Sequence, residues 1–219
     1  MIKDLKFAFK CMKYAYNKKM ICGMSLAFIV LGGIQFCSGR PLNYIVGGYM
    51  LFAAPCLLCQ MYQVTNMSKL VASSPKKRTM QIRILTLLNL LAVLLGFILF
   101  SFGMYIVYRK NQCPVESIGY IYIIQGVMDI IMLIYMAFSY KHYIISSIIF
   151  FCAFMAAFAG SIGIAGGDLS KFNISVPVGV GIAFVCILIG SFAFYYVSKL
   201  VYKAPMDKYA IATQLRSEI

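Results

Sequence analysis

Six apolar stretches, separated by short polar connections, dominate the sequence. A helix needs about 20 residues to cross the hydrocarbon core of a bilayer, because it rises about 1.5 Å per residue. Hydrophobic residues make up 62% of the 219 positions and charged residues 12%, and a soluble fold cannot bury this much apolar surface. We therefore predict an all-α polytopic membrane protein with a single transmembrane domain over 1–219. It comprises an interfacial segment 1–19, a cytoplasmic tail 198–219, and spans at 20–37, 44–62, 84–108, 119–138, 143–164 and 178–197.

The distribution of basic residues predicts how these spans are oriented. The chain has 20 lysines and arginines, and with six spans all but four of them fall on the same side as the two termini. Because cytoplasmic connections carry the excess of Lys and Arg, both termini are predicted to be cytoplasmic. This asymmetry accounts for the net charge of +14. Nucleic-acid binding is not needed to explain that charge, and the chain has no soluble basic module that could bind a nucleic acid. The four exceptions are Arg40, Arg109, Lys110 and Lys171.

The residues before the first span form an amphipathic pattern. Apolar residues recur at spacings of three and four, and a row of lysines runs parallel to them. Such a helix is expected to lie flat at the inner interface, with its ammonium groups against anionic lipids. The following apolar run is long and lacks a small-x-small site, which favours a retained span over a cleaved targeting peptide. The apolar stripe comprises Ile2, Leu5, Phe9, Met12 and Tyr16, and the row comprises Lys3, Lys6, Lys10 and Lys13.

The connection between the second and third spans is the most informative polar stretch. Its apolar residues lie on one helical face, and Thr65 or Asn66 is placed to cap the start of a short helix. Pro75 ends that helix, because the residue before a proline is pushed out of the helical region. A solvated loop whose lysines only set the topology is the alternative. The apolar face comprises Val64, Met67, Leu70 and Val71, and a basic turn follows with Lys76, Lys77 and Arg78.

One carboxylate interrupts the fourth span. Asp129 lies near its middle, where an ionised side chain costs at least about 2.5 kcal/mol, and Gln125 and Tyr122 lie on the same helical face. These three residues are predicted either to line a transport pathway or to form a polar helix interface. In the second span, Pro55 is expected to kink the helix.

Motifs for catalysis within this chain are missing from the sequence. It has no GxxxxGK[ST] loop, no HExxH and no GxSxG, and His142 is its only histidine. We therefore predict no enzyme activity, no bound metal and no cofactor for this chain. Most of the eight cysteines lie within spans as small apolar side chains. Cys37 and Cys113 fall at the outer face, where a disulfide between them is a hypothesis.

The layout resembles that of the type-2 permeases of ATP-binding cassette (ABC) exporters. Shared features are the six spans, the cytoplasmic termini, the flat N-terminal helix and the helix after the second span. The segment MSKLVASSPKKRTMQ carries the most specific likeness, with a hydrophobic helix, Ser-Ser-Pro and then basic residues. Asp129 matches no motif of this family, and the outer connections are very short.

The resemblance implies a function for this chain as an exporter permease subunit in a bacterial cell membrane. A coupling helix at 64–74 would dock on a separate ATPase subunit that binds ATP and Mg²⁺, beside a connecting helix at 7–17. Two permease halves, identical or merely similar, would form the pathway, and the glycine-rich segment 160–177 would close its exit. The implied coupling residues are Val64, Met67, Leu70, Val71, Ser73, Ser74, Pro75, Lys76, Lys77 and Arg78.

Two other classes of protein fit parts of the pattern. A secondary transporter is expected to show internal repeats and several broken helices, and the first three spans do not resemble the last three. A membrane scaffold or sensor subunit fits the six spans but does not need the amphipathic second connection. Apolar spans with one carboxylate are compatible with a peptide, a drug-like cation or a lipid as the substrate.

Overall fold

A computed structural model of the chain describes residues 2–13, 15, 18–38, 40–67, 75–110, 113, 115–139, 141–165 and 174–204. Helices account for almost all of these residues, and no strand occurs among them. In chain order the helices are α1 (Ile2–Lys13), α2 (Lys18–Phe36), α3 (Pro41–Met67), a π-helical segment (Thr79–Ile84), α4 (Leu85–Arg109), α5 (Val115–Ser139), α6 (Tyr143–Ala165) and α7 (Val176–Val201).

Five stretches of helix in the described residues are long and apolar enough to cross a membrane. They carry few charges, and large apolar side chains such as Ile98, Phe102 and Phe192 are exposed on them, as expected for surfaces that face lipid rather than water. The chain is therefore a multi-pass helical membrane protein. The five stretches are Lys18–Phe36, Leu42–Gln63, Thr79–Arg109, Ser117–Ser139 and Val176–Val201, and Ile144–Gly160 is a shorter apolar stretch within α6.

Side-chain contacts gather several connections at one end of the bundle. The Thr65 hydroxyl oxygen at the end of α3 lies 3.4 Å from the Cys11 carbonyl oxygen of α1. Gln81 Nε2 donates to the Asn66 carbonyl (3.2 Å). Lys77 and Lys141 reach the end of α7. We call this the basic end: α1, the end of α3, residues 75–84, residues 141–142 and the end of α7.

The opposite end, which we call the far end, carries much less positive charge. It holds residues 37, 38 and 40, residues 110 and 113, and the start of α7, where Ile174 lies against Gly119. Among the lysines and arginines whose side chains are described, only Arg40, Arg109 and Lys110 lie there. Lys171 is outside the described residues.

Close packing of small residues joins α5 to α7, the most extensive helix pair in the bundle. A Cβ atom added at Gly179 would overlap the backbone of Gly119, and one added at Gly119 would overlap the Ile174 carbonyl. Further along, a Cβ atom at Gly126 would lie 2.9 Å from Ala183 Cα. Lipid tails are as apolar as the helices, so this van der Waals packing, rather than hydrophobic burial, holds the two helices together.

Helix α3 occupies the centre and contacts α2, α4 and α5. Ser25 Oγ of α2 donates to the Ala54 carbonyl of α3 (2.8 Å), and Gln63 Nε2 donates to the Met136 carbonyl of α5 (3.2 Å). Pro55 lies inside α3, which continues beyond it to Met67. These contacts connect the two halves of the bundle through α3.

All eight cysteines are free thiols, so the hypothesised disulfide between Cys37 and Cys113 is not present. Cys37 is exposed, whereas Cys113 is buried beside the start of α5. Burial raises the pKa of the Cys113 thiol to about 11. A thiol with a raised pKa is a poor nucleophile at neutral pH, which makes oxidation at this position slow.

Candidate functional site

The polar face predicted on the fourth span lies in the interior of the bundle. Gln125 Nε2 donates to Asp129 Oδ1 (3.1 Å), one helical turn away on α5. Both side chains are only 1% exposed, so the described residues shield them from solvent and lipid. Tyr122 lies on the same face and packs edge-on against Phe100, with 5.0 Å between ring centroids.

A glycine on α3 makes room for this polar pair. A Cβ atom added at Gly48 would lie 2.6 Å from Gln125 Oε1 and 2.7 Å from the Phe100 ring. Within the described residues, Gln125 Oε1 and Asp129 Oδ2 have no hydrogen-bond partner. The pair is therefore held at the crossing of helices by packing and by one internal hydrogen bond. A role for Asp129 in a pathway stays a prediction.

The predicted coupling segment is only partly described. Val64 and Met67 belong to the last turn of α3, which runs on without a break from the span. Leu70, Val71, Ser73 and Ser74 lie outside the described residues, so the predicted helix 64–74 stays a prediction as a whole. The prediction that Thr65 or Asn66 caps the start of a new helix is wrong, because both residues lie inside α3, which continues to Met67. The Thr65 hydroxyl donates instead to the Met61 carbonyl four residues back (3.0 Å).

The end of α3 is fixed to its neighbours by side-chain hydrogen bonds. Tyr62 Oη donates to the Met80 carbonyl (3.3 Å), and Gln81 Nε2 donates to the Asn66 carbonyl (3.2 Å). Met80 and Gln81 belong to the π-helical segment, so the end of α3 is held against the segment that leads into α4. A force applied to the segment that joins α3 to α4 would therefore act on both helices.

The turn after the predicted coupling helix contacts the end of α7. Pro75, Lys76 and Arg78 are exposed, and Lys77 is half-buried with its Nζ 5.7 Å from the centroid of the Tyr202 ring. Such a cation–π contact is worth about 0.5–1 kcal/mol at an exposed site. The basic turn is thus part of a surface shared with α7.

Lys141 connects the short α5–α6 turn to the same surface. Its Nζ donates to the Ala204 carbonyl (2.7 Å) and the Tyr202 carbonyl (3.4 Å), which follow the last turn of α7. A lysine at this position satisfies carbonyls that have no partner within the helix. Burial, and then repulsion by the neighbouring Lys77 ammonium, lower the pKa of Lys141 below its ordinary value.

A concave basic pocket lies between the π-helical segment and α7. Its volume is about 310 Å³, and Arg78, Arg83 and Lys199 supply three positive charges from two helices. Thr79 and Tyr195 add hydroxyl groups to its lining. Asp129 is the only acid whose side chain is described, and it lies within the bundle, so no described carboxylate neutralises the pocket. The pocket is suited to an anionic group such as a carboxylate or a phosphate.

Sequence reasoning missed Lys141, Arg83 and Lys199 as members of one surface. Lys141 carried a signal, since it is the only lysine in the short connection between the fourth and fifth predicted spans. Arg83 and Lys199 carried none, because they are far apart in the chain. Among the described residues, no three His, Cys, Asp or Glu side chains lie close enough together to bind a metal ion.

Comparison with known proteins gives no match to any family model, curated protein or solved structure. The fold, the charge distribution and the geometry of the basic end are therefore the features that indicate what the chain does.

Proposed function

We propose that this chain is the transmembrane permease subunit of an ABC-type exporter. It would cross a bacterial cell membrane six times with both termini in the cytoplasm, and a separate ATPase subunit would drive it. Two such halves, either identical or similar, would form the translocation pathway. The chain itself would carry no nucleotide.

The observation that carries this proposal is the convergence at the basic end. The N-terminal helix contacts the end of α3, and a hydrogen bond joins the two flanks of the predicted coupling segment. A cation–π contact then joins the second flank to the end of α7. A permease without its own energy source needs such a surface, because movement of the partner must be converted into movement of the spans. The side-chain bonds to Met80 and Asn66 would transmit that movement to α3 and α4.

Helix lengths support six crossings. Helix α6 contains 23 residues, which corresponds to about 34 Å at helical rise and exceeds the hydrocarbon thickness of about 30 Å. With α6 added to the five long apolar stretches, the chain would cross six times. An even number of crossings places both termini on one side, in agreement with the basic residues grouped at one end.

The charge of the basic end supports a protein partner with an acidic docking surface. The described side chains supply several cations there and no carboxylate. Complementary charge increases the rate of association and disfavours the wrong partners. The ATPase subunit is therefore expected to present acidic residues to residues 75–84 and to Lys199.

Purification from native membranes in a mild detergent tests the proposed function. We expect the tagged chain to be recovered with a nucleotide-binding subunit, with two permease halves and two ATPase subunits per complex, and with ATP hydrolysis in the same fraction. Mass measurement of the intact complex gives the stoichiometry.

Leu70→Glu and Val71→Glu are expected to reduce recovery of the ATPase, whereas Ser38→Glu at the far end serves as a control and leaves it unchanged. A stable monomer without a nucleotide-binding partner would contradict the proposal and favour a scaffold or sensor subunit.

A further inference from the structure

An apolar groove opens at the basic end between α1, α2, α3 and α4. Its volume is about 560 Å³, and its walls are formed largely by apolar side chains such as Met12, Leu58, Leu88 and Ala92. Carbon and sulfur atoms make up nearly all of its lining, which suits an alkyl chain rather than a polar solute.

Lysines supply all of the charged side chains that line the groove. They are Lys13 at the end of α1 and Lys18 and Lys19 at the start of α2. Lys18 Nζ donates to the Lys13 carbonyl (3.1 Å), which holds the two helix ends together. All three side chains are exposed, so their ammonium groups are available to a negatively charged headgroup.

The depth of the groove follows from the contact between α2 and α3. Ser25 Oγ bonds the Ala54 carbonyl (2.8 Å), which places Ser25 level with Pro55 at the deep end of the groove. Lys18 precedes Ser25 by seven residues, so the groove extends about 10 Å from the lysines into the bundle at helical rise. A molecule that fills it therefore has a negative end at the membrane surface and an apolar end within the hydrocarbon core.

We infer that this groove is a binding site for an anionic phospholipid. Its phosphate contacts Lys13, Lys18 and Lys19, and one acyl chain lies against Leu58, Leu88 and Ala92. A lysine near an anionic membrane surface contributes about 1 kcal/mol, which corresponds to roughly five-fold in affinity. Three lysines then give a preference on the order of 100-fold for an anionic over a zwitterionic headgroup. This site does not depend on the proposed export function.

Lipid retention by the purified full-length chain tests the inference. The chain is placed in nanodiscs that contain phosphatidylglycerol and phosphatidylcholine, transferred to detergent and measured by native mass spectrometry. We expect one phosphatidylglycerol to remain bound per chain, with a preference on the order of 100-fold over phosphatidylcholine. Changing Lys13, Lys18 and Lys19 together to Gln is expected to reduce that preference to within a few-fold. Ala92→Phe, which fills the groove, is expected to abolish retention of both lipids.

A matched control distinguishes lipid binding in the groove from a general attraction between the positive charge of the chain and anionic lipid. Lys6, Lys10 and Lys203 also lie at the basic end and are exposed, but they do not line the groove. Changing these three to Gln removes the same charge and is expected to leave retention unchanged. Thermal melting of each variant identifies any that fail to fold, and single Lys→Gln variants then replace the triple one.

Three results would overturn the inference. They are equal retention of both lipids, an equal loss in the control triple variant, and displacement of the lipid by millimolar inorganic phosphate. The last result would mean that the lysines recognise phosphate without the acyl chain.

Discussion

Gly179→Ala is expected to destabilise the folded chain by about 3 kcal/mol, the upper part of the range for overpacking a well-packed core. The added methyl group would overlap the carbonyl oxygen and Cα of Gly119. Backbone atoms cannot rotate away as a flexible side chain can, so α5 and α7 must separate. For a chain of this size the loss corresponds to a fall of roughly 6–12 °C in melting temperature, measurable by thermal unfolding in detergent.

The control for this variant lies two residues further along the same helix. Gly181 is exposed, and a Cβ atom added there would have no atom within 4 Å. Gly181→Ala is therefore expected to be neutral or to stabilise by about 0.5–1 kcal/mol, because alanine favours the helical backbone. Equal shifts in the two variants would contradict the packing of α5 on α7.

Charge reversal in the basic pocket is expected to abolish retention of the proposed ATPase subunit. Changing Arg78, Arg83 and Lys199 together to Glu puts three negative charges where the partner's acidic residues are expected to dock. Removing one partner of a charge pair that is buried and hydrogen-bonded at an interface costs about 2–5 kcal/mol. If docking buries the pocket, the triple reversal should weaken binding by at least about 100-fold. Affinity measured between the purified chain and the ATPase, as a function of salt, checks this result.

A matched reversal at the far end tests whether position matters. Changing Arg40, Arg109 and Lys110 to Glu alters the net charge by the same amount on the side away from the expected partner. This variant is expected to bind the ATPase as the unchanged chain does. Binding that survives reversal of the basic pocket, or that is lost equally in both variants, would argue against docking at the basic end.

Much of the fold was predictable because lipid imposes a simple rule on sequence. Within the bilayer no water is available to hydrogen-bond the backbone N–H and C=O groups, so the chain crosses as helices with long apolar sequences. The five long apolar helices lie at or close to predicted spans. Gln125 and Asp129 are one turn apart, so their position on one helical face followed from the spacing, whereas the hydrogen bond between them was not predicted. The end of α3 was less predictable, because no glycine or proline follows Tyr62 until Pro75 and the helix continues to Met67.

The remaining features depend on residues that are distant in the chain. The overlap between Gly119 and Gly179, the capping of α7 by Lys141, and the pocket shared by Arg83 and Lys199 each join different helices. Helical periodicity determines the face on which a residue lies but not the helix that it meets. Glycines are common in membrane helices, so their presence alone did not identify the α5–α7 contact.

We propose that the segment between α3 and α4 faces the cytoplasm, where an ATPase subunit can reach it. Lys76→Cys and Ser38→Cys, placed at exposed positions at opposite ends of the bundle, test this in a chain whose native cysteines are replaced. A membrane-impermeant thiol reagent is applied to right-side-out and inverted vesicles. We predict that the cysteine at position 76 is labelled only in inverted vesicles and the cysteine at position 38 only in right-side-out ones. Labelling of position 76 from the outside would contradict both the orientation and the proposed coupling to an ATPase.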